Sequence, residues 1–293
     1  MREFIVATAS TVDIDREWLE EHDVPVISYT FEVNGKVYID DCRAETRHTI
    51  YSAMRQGNQP KTSQITAYSY YEFFKGLIEK NKNVLFLDMD KELSASYFNS
   101  LNAAEQIKEE YPDSNLYILD TRCVTLGLTL LLYRVVELAD QGKSLEEVVD
   151  WANQNKFRIA HRFLVDDLEW LRRGGRLSNA SAIIGSLLSI KPLIYIDDVG
   201  KLIAFAKVRG KKKAIKELLA STEKDMGDAT GKDIVLGHSD SPEEGEIWKK
   251  MVQEKYPTAR SITLMEVGPV IGSHIGPGFL GITYYSDSGT RII

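Results

Sequence analysis

Short continuous apolar runs alternate with amphipathic stretches through the first half of the chain. Phe4–Ala7, Val84–Leu87 and Leu116–Leu119 are such runs, and runs of this length predict strands buried on both faces of a sheet. Helical patterns follow them at Arg16–His22, Ser94–Glu110 and Thr125–Gln141. Strands separated by helices predict a parallel sheet with helices on both sides. Within the second helix, Tyr97, Leu101, Ala104 and Ile107 recur at helical spacing and are expected to face the sheet. Glu105, Lys108 and Glu109 are expected to face water, with Ser94 at the N-terminal edge as a cap. A hairpin interrupts the alternation at Tyr29–Tyr38, where Asn34-Gly35 supplies two residues that tolerate positive φ.

The pattern changes near Arg158. Strands are expected at Lys191–Asp197, Leu202–Val208, Ile234–Gly237, Ser261–Val267 and Gly281–Tyr285. The first two of these are joined as a hairpin by a turn at Asp198–Lys201. Helices at Lys211–Thr222 and Glu243–Lys255 are expected to separate the later strands, so this half reads as α+β or mixed α/β rather than as a plain parallel sheet. The polar tail after Tyr285 reads as loosely held. Two domains follow from these patterns, 1–157 and 158–293, packed closely with a cleft between them; a chain of 293 residues is long for one core.

Composition narrows the function classes. Apolar residues make up 43% and charged residues 27%, enough for each half to bury a core. A formal net charge of -7 argues against a general nucleic-acid binder, which needs surplus Lys and Arg to displace counterions. The same charge offers no broad attraction to anionic membranes, so membrane contact is expected to be transient. Cys42 and Cys123 have neither metal-ligand spacing nor a disulfide framework, and the N-terminus lacks a signal-peptide apolar run, so a cytoplasmic location is expected. The most apolar stretch, Ala180–Ile190, is too short to span a bilayer. No phosphate loop, dinucleotide fingerprint, HExxH motif or GxSxG elbow is present, which disfavours a stand-alone kinase, dehydrogenase, zinc protease or α/β-hydrolase. No metal and no cofactor is expected.

Hydroxyl-rich and glycine-rich segments remain. Thr62 and Ser63 lie ahead of a helical run, where free N–H groups favour an anion; an ordinary helix cap would use the same residues. Leu93–Tyr97 repeats this arrangement between a strand and a helix, with Ser94 as its first hydroxyl. Val270–Gly278 places three glycines and a proline around His274, a loop whose backbone can approach a ligand closely. Arg172, Arg173 and Arg176 suit either a solvated helix end or an acidic or phosphorylated partner. Arg209 ends a strand before a basic run.

Taken in order, these segments resemble the DegV family. Its TSQ, LSG[ST]Y-like, LxxLxxGGRIS, IKP, K-x-R-[GT]-x-K-K-A and GxHxGPGxxG motifs stand here at Thr62–Gln64, Leu93–Tyr97, Leu168–Ser178, Ile190–Pro192, Lys207–Ala214 and Gly272–Gly281. The resemblance implies the two-domain EDD fold, with an N-terminal parallel α/β sheet and a mixed α/β C-terminal domain. It implies a long-chain fatty acid in an apolar tunnel and a separate fatty acid kinase subunit that phosphorylates the bound carboxyl group. On that resemblance, Thr62, Ser63, Ser94 and His274 would hold the head group together with the backbone at Ile275 or Gly276. Arg176 and Arg209 would receive the partner kinase or the phosphate. The protein would then be a carrier and not itself an enzyme. Three positions depart from the family pattern: Ala9 replaces an aspartate, Ala95 a glycine and Ile275 a threonine. Two other readings use the same residues: a small-molecule enzyme with a Ser94–His274 site, and a dihydroxyacetone-kinase-like subunit taking a small triose.

Overall fold

The computed structural model describes residues 2–176 and 190–291. Leu177 and Ser178 of the arginine-containing motif, and all of the apolar stretch Ala180–Ile190 except its last residue, lie outside the described residues.

The first half builds strands β1 (Ile5–Ala9) and β2 (Val26–Ile27), a hairpin of β3 (Thr30–Val33) and β4 (Lys36–Ile39), and then β5 (Lys61–Ser63), β6 (Asn83–Asp88) and β7 (Asn115–Asp120). Among the described residues, β2-β1-β6-β7 form a four-stranded parallel sheet. Its central members are the two most apolar runs, and Val6, Ala7, Val84, Leu85, Phe86 and Leu87 are all fully buried. The hairpin turns at Asn34 and Gly35 with φ of 55° and 70°, the left-handed pair that two-residue hairpins require. β5 adds to β3 to make a second, three-stranded sheet, with Phe31 opposite Thr62 and Thr30 opposite Ser63.

The second half forms a mixed sheet of six strands among the described residues, in the order β10-β9-β8-β13-β11-β12. These are β8 (Ile159–Leu164), β9 (Ile190–Ile196), β10 (Leu202–Arg209), β11 (Asp233–His238), β12 (Ser261–Glu266) and β13 (Leu280–Tyr285). Only β11 and β12 pair in parallel. Alternation along these strands divides them between two cores. Ile159, Phe163, Ile194, Ile196 and Val235 face the large core shared with the parallel sheet. Ala160, Leu164, Leu236, Ile282 and Tyr284 face a separate core under the C-terminal helices. We propose the domain boundary at 157/158, where the parallel sheet and its last helices end and β8 begins.

The helices are α1 (Arg16–Glu21), α2 (Ala44–Arg55), α3 (Ala67–Ile78), α4 (Ser96–Glu110), α5 (Leu126–Asp140), α6 (Leu145–Asn155), α7 (Glu169–Arg173), α8 (Lys211–Ser221), α9 (Glu223–Met226), α10 (Pro242–Lys255) and α11 (Pro269–Ile275). Three differ from what the residue pattern predicts. α4 starts at Ser96 and buries Ser96, Ser100, Ala103 and Ile107; the small residues of this face allow close packing, and Tyr97, Leu101 and Ala104, expected to face the sheet, are only partly buried. Thr66, not Thr62 or Ser63, caps α3, accepting from Ser69 N–H at 3.1 Å. The glycine-rich segment expected as a loop is helical up to Ile275, since Pro269 suits the first turn of a helix. The tail is not loose: Arg291 is fully buried, and its guanidinium donates to Lys156 O at 2.6 Å and to Arg122 O. Buried N–H groups need such acceptors, and these pin the chain after Tyr285.

One buried charge cluster joins the hairpin to the first strand. Asp13, at φ 58°, and Asp40 are 2% and 1% exposed, beside Arg47, which donates to Asp15 and to Asp13 O. Burial pushes both the Asp13 and the Asp40 carboxyl up to about 7. A raised carboxyl pKa means that the folded state holds protons the unfolded chain has released. The stability these groups contribute is therefore complete below the ordinary carboxylate range and is lost as pH rises through about 7. Asp13→Asn keeps a residue that tolerates the left-handed backbone and removes the charge. Thermal unfolding followed from about pH 5.5 to about pH 8 should show a smaller loss of Tm in Asp13→Asn than in the wild type, each kcal/mol relieved being worth roughly 2–4 °C. An identical pH slope in the two proteins would contradict this assignment.

Candidate functional site

A cavity lies between the two halves and encloses about 1000 Å³ of space, part of it open to solvent. The segment after β6 contributes Met89, Leu93 and Ser94, and the start of α5 contributes Val124, Thr125 and Leu126. The six-stranded sheet supplies Phe163, Ile196, Leu202 and Thr283, among others. α11 supplies Val270, Ile271, His274 and Ile275, with Leu171 from α7 and Phe279 beyond α11. Most of this wall is apolar.

The polar groups gather in one linked set. Thr62 Oγ1 lies 3.0 Å from His274 Nε2. Arg176 lies near enough to His274 and to Tyr29 to act on the charge of both. Tyr29 Oη lies 3.4 Å from Ser94 Oγ. Ser63 and Gln64 complete the rim. Backbone placement explains the convergence. Thr62 sits on β5, which the β3 pairing holds in register. Ser94 follows β6, in the turn ahead of α4, and its Oγ accepts from Ser96 N–H at 3.3 Å. His274 sits in the last turn of α11. Its ring fits against Gly174, where a Cβ would lie 2.3 Å from Nδ1.

The electrostatics favour an anion. Arg176 Nε donates to Leu93 O at 3.1 Å, and a second nitrogen donates to Gly174 O. Both acceptors are backbone carbonyls, and among the described residues no carboxylate comes within ion-pair distance of this half-buried guanidinium. A cation so placed, facing a cavity, is an uncompensated positive charge. His274 is pushed down to about 4, first by burial and then by the Arg176 cation, and is therefore neutral at neutral pH. In the tautomer that carries its proton on Nε2, His274 donates to Thr62 Oγ1 and the Thr62 hydroxyl is free to donate outward; in the other tautomer Thr62 donates to Nε2. The Tyr29 hydroxyl is held well above its ordinary range by burial and by Asp88, and so keeps its proton.

Thr62, Ser63, Ser94, Arg176, His274 and Ile275 all line the cavity. Gly276 is absent from the lining, and its N–H donates to Gly272 O at 2.9 Å. Arg209 is exposed at the end of β10, opposite Ile190, and is also absent from the lining. Tyr29 was not foreseen: a tyrosine at the mouth of a hairpin carries no sign of its distant neighbour Ser94. Of the three departures, Ala9 is buried and Ala95 exposed, while the Ile275 side chain adds apolar wall beside His274. The Ser94–His274 pairing required by a hydrolytic site is not formed, and among the described residues no carboxylate acts on His274. Among the described residues there is also no group of three acidic, His or Cys side chains suited to a metal ion.

A family model of uncharacterised DegV proteins matches residues 3–287. The chain belongs to the DegV family. A DegV domain-containing protein of Clostridium perfringens is 37% identical over 289 residues, covering 98% of this chain and 99% of its own length. Among solved structures, a fatty-acid-binding DegV family protein of Thermus thermophilus is 28% identical with a TM-score of 0.88, covering 98% of this chain and 100% of that one. DegV of Bacillus subtilis, a fatty acid binding protein, is 26% identical with a TM-score of 0.86 over 98% of this chain and 100% of its own. The same fold occurs in the Fatty Acid Kinase B3 protein of Streptococcus pneumoniae, loaded with linoleic acid, at 21% identity and a TM-score of 0.84 over 97% of this chain and 99% of that one. The DegV fold of this chain, a parallel sheet and a mixed sheet closing on one cleft, is thus shared along essentially its whole length.

The state of His274 is directly measurable. Its ring resonances should titrate near pH 4 in NMR, and Arg176→Gln should raise the midpoint, because it removes a repelling cation. Burial is the larger cause, so the midpoint should stay below the ordinary imidazole value of about 6.5. An unchanged midpoint in Arg176→Gln would separate Arg176 from this site.

Proposed function

We propose that the chain binds a long-chain fatty acid and presents its carboxyl group to a separate kinase for acyl phosphate formation. One observation carries this reading: a polar rim, whose guanidinium meets no carboxylate among the described residues, opens onto a mostly apolar cavity of about 1000 Å³ counted with its open mouth. A small polar triose would leave nearly all of that apolar wall without a partner, whereas an acyl chain covers it. At about 0.8 kcal/mol per buried methylene, a chain of about 16 carbons offers on the order of 10 kcal/mol before ordering costs. The tail can therefore supply most of the affinity. Thr62, Ser63, Ser94, Tyr29 and the Arg176 cation would then orient the carboxylate, with His274 fixing the Thr62 hydroxyl. The fatty-acid-binding relatives of Thermus thermophilus and Bacillus subtilis support the lipid part of the reading. The kinase part draws on the missing phosphate loop, which leaves phosphoryl transfer to another protein. Arg209, exposed and away from the cavity, is suited to meet that protein, since its planar fork pairs bidentately with phosphate or carboxylate.

Protein purified from a bacterial host should release stoichiometric fatty acid on denaturation and organic extraction, measured by mass spectrometry; repeated absence of any acyl chain would refute the reading. Thr62→Val and Ser94→Ala should each weaken fatty acid binding by about 1–3 kcal/mol, the range for leaving a buried carboxylate under-bonded. Arg209→Ala should bind fatty acid as the wild type does, but acyl phosphate formation with a cognate kinase should fall at least about tenfold, or about 1.4 kcal/mol. Unchanged turnover would remove Arg209 from the kinase contact.

A further inference from the structure

A line of buried hydroxyl groups leads from the rim into the core of the first half and ends on a carboxyl group. Ser94 lines the cavity, and its Oγ lies 3.4 Å from the Tyr29 hydroxyl. The Tyr70 hydroxyl, on α3, comes next. It is fully buried and has no hydrogen-bond partner of good geometry among the described residues. It nevertheless lies near enough to the Tyr29 hydroxyl and to the Asp88 carboxyl to act on the proton of each. Asp88, the last residue of β6, is fully buried as well. Its Oδ1 accepts from Met89 N–H at 2.9 Å. Its Oδ2 lies 3.0 Å from Ser100 Oγ, whose own proton has Tyr97 O at 2.7 Å as an alternative acceptor.

The two charge states of Asp88 orient this line in opposite directions. Ionised Asp88 draws the Tyr70 proton. Tyr70 then accepts from Tyr29, Tyr29 accepts from Ser94, and every hydroxyl points inward. Neutral Asp88 keeps its proton on Oδ2, facing Ser100 Oγ, and makes no claim on Tyr70. Tyr70 then donates to Tyr29 and Tyr29 to Ser94, so the Ser94 proton is left for the cavity. A carboxylate only accepts, so one bound at the rim favours the second arrangement. Burial, opposed first by the Ser100 hydrogen bond, pushes the Asp88 carboxyl up to about 7, which puts both states within reach at neutral pH. The titratable groups that face Asp88 are Tyr29, Tyr70 and Tyr97, all held above their ordinary range by burial, and Asp120 on β7, whose charge Arg122 meets at 3.0 Å.

We infer that Asp88 is a positioning residue that takes up one proton from solvent when an acyl carboxylate binds, and so turns the hydroxyls of Tyr70, Tyr29 and Ser94 outward to meet it. This rests on the acyl-chain reading of the cavity and adds a proton to its binding step. By linkage, a ligand that favours the neutral acid raises the pH at which that acid ionises, and binding weakens as pH rises through this range.

The test is an infrared titration of the full chain, free and with palmitic acid whose carboxyl carbon is isotope-labelled to separate its bands from those of the protein. Subtracting the spectra of Asp88→Asn isolates the Asp88 band from those of Asp13, Asp40 and Asp90. Asparagine suits the position, with Oδ1 accepting from Met89 N–H and Nδ2 donating to Ser100 Oγ. In the free protein the neutral-acid band should disappear near pH 7. With palmitic acid bound, the midpoint should rise by at least about one pH unit, a preference of about tenfold for the protonated site. Tyr70→Phe takes one oxygen out of the line and should abolish the rise, which simple charge repulsion would leave in place. A midpoint unmoved by bound ligand overturns the inference, and so does an equal rise in Tyr70→Phe. In both cases the labelled carboxyl still reports binding, so the acyl-chain reading stands. If no labelled carboxyl is held, the acyl-chain reading fails as well. Should Asp88→Asn not fold, the wild type against Tyr70→Phe still decides, because only a carboxyl that acts through Tyr70 loses its shift there.

Discussion

The contact between Thr62 and His274 spans 212 residues and ties the three-stranded sheet of the first half to the last helix of the second. The rest of the site is arranged around it. β5 must lie in register against β3 for Thr62 to face the cavity. α7 must end in a residue without a side chain, because a Cβ at Gly174 would strike His274. The same turn then brings Arg176 back over the rim, where its donors reach the carbonyls of Leu93 and Gly174. A second tie runs parallel to the first, from Tyr51 Oη to Val267 O at 2.7 Å. The two halves therefore cannot separate without breaking buried hydrogen bonds, whose loss leaves unsatisfied groups behind. This makes the cavity a fixed feature of the fold rather than a gap between loosely joined parts.

Charge is used sparingly inside that cavity. His274 and His161 are both kept neutral by burial, and the Tyr29 hydroxyl is kept protonated. Among the described residues, the charge at the rim without a carboxylate partner is Arg176. A single cation among neutral donors attracts a carboxylate without enclosing it in counter-charges, which would hold it too firmly to react. On the proposed reading, this suits a head group that must become an acyl phosphate. The carboxylate oxygen that attacks the phosphoryl group would keep access to solvent and to a partner, while the tail holds the molecule in place.

Much of the fold could be read from residue pattern. The apolar runs at Phe4–Ala7 and Val84–Leu87 became the buried centre of the parallel sheet, and Asn34-Gly35 marked the hairpin of the three-stranded sheet, because both signals are local; Leu116–Leu119, expected to be buried on both faces, instead forms the half-exposed edge strand β7. The misreadings share one cause, which is that tertiary contacts outvote local preference. Thr62 and Ser63 look like helix caps until β3 supplies a strand partner. The glycines around His274 look like a loop until α2 and α7 pack against them as a helix. The tail after Tyr285 looks free until the carbonyls of Arg122 and Lys156 take the Arg291 guanidinium. Tyr29 was invisible for the same reason: it becomes part of the site only through residues distant in sequence.

The two faces of the six-stranded sheet show how one strand can serve two purposes. On β8, Ala160, Arg162 and Leu164 alternate with Ile159, His161 and Phe163. The first set closes the C-terminal core, where Arg162 pairs with Asp225 at 2.8 Å and Tyr284 donates to the other oxygen of that carboxylate. The second set faces the cleft. Because the period of a strand is two, a one-residue slip would exchange these faces. It would bury Arg162 in the cleft and set His161 against the C-terminal core. The buried Arg162–Asp225 pair opposes that slip: a guanidinium moved away from its carboxylate leaves both charges unpaired in the interior, a penalty of several kcal/mol. The Arg162–Asp225 pair thus helps to fix which side chains of β8 face the large core and the cleft.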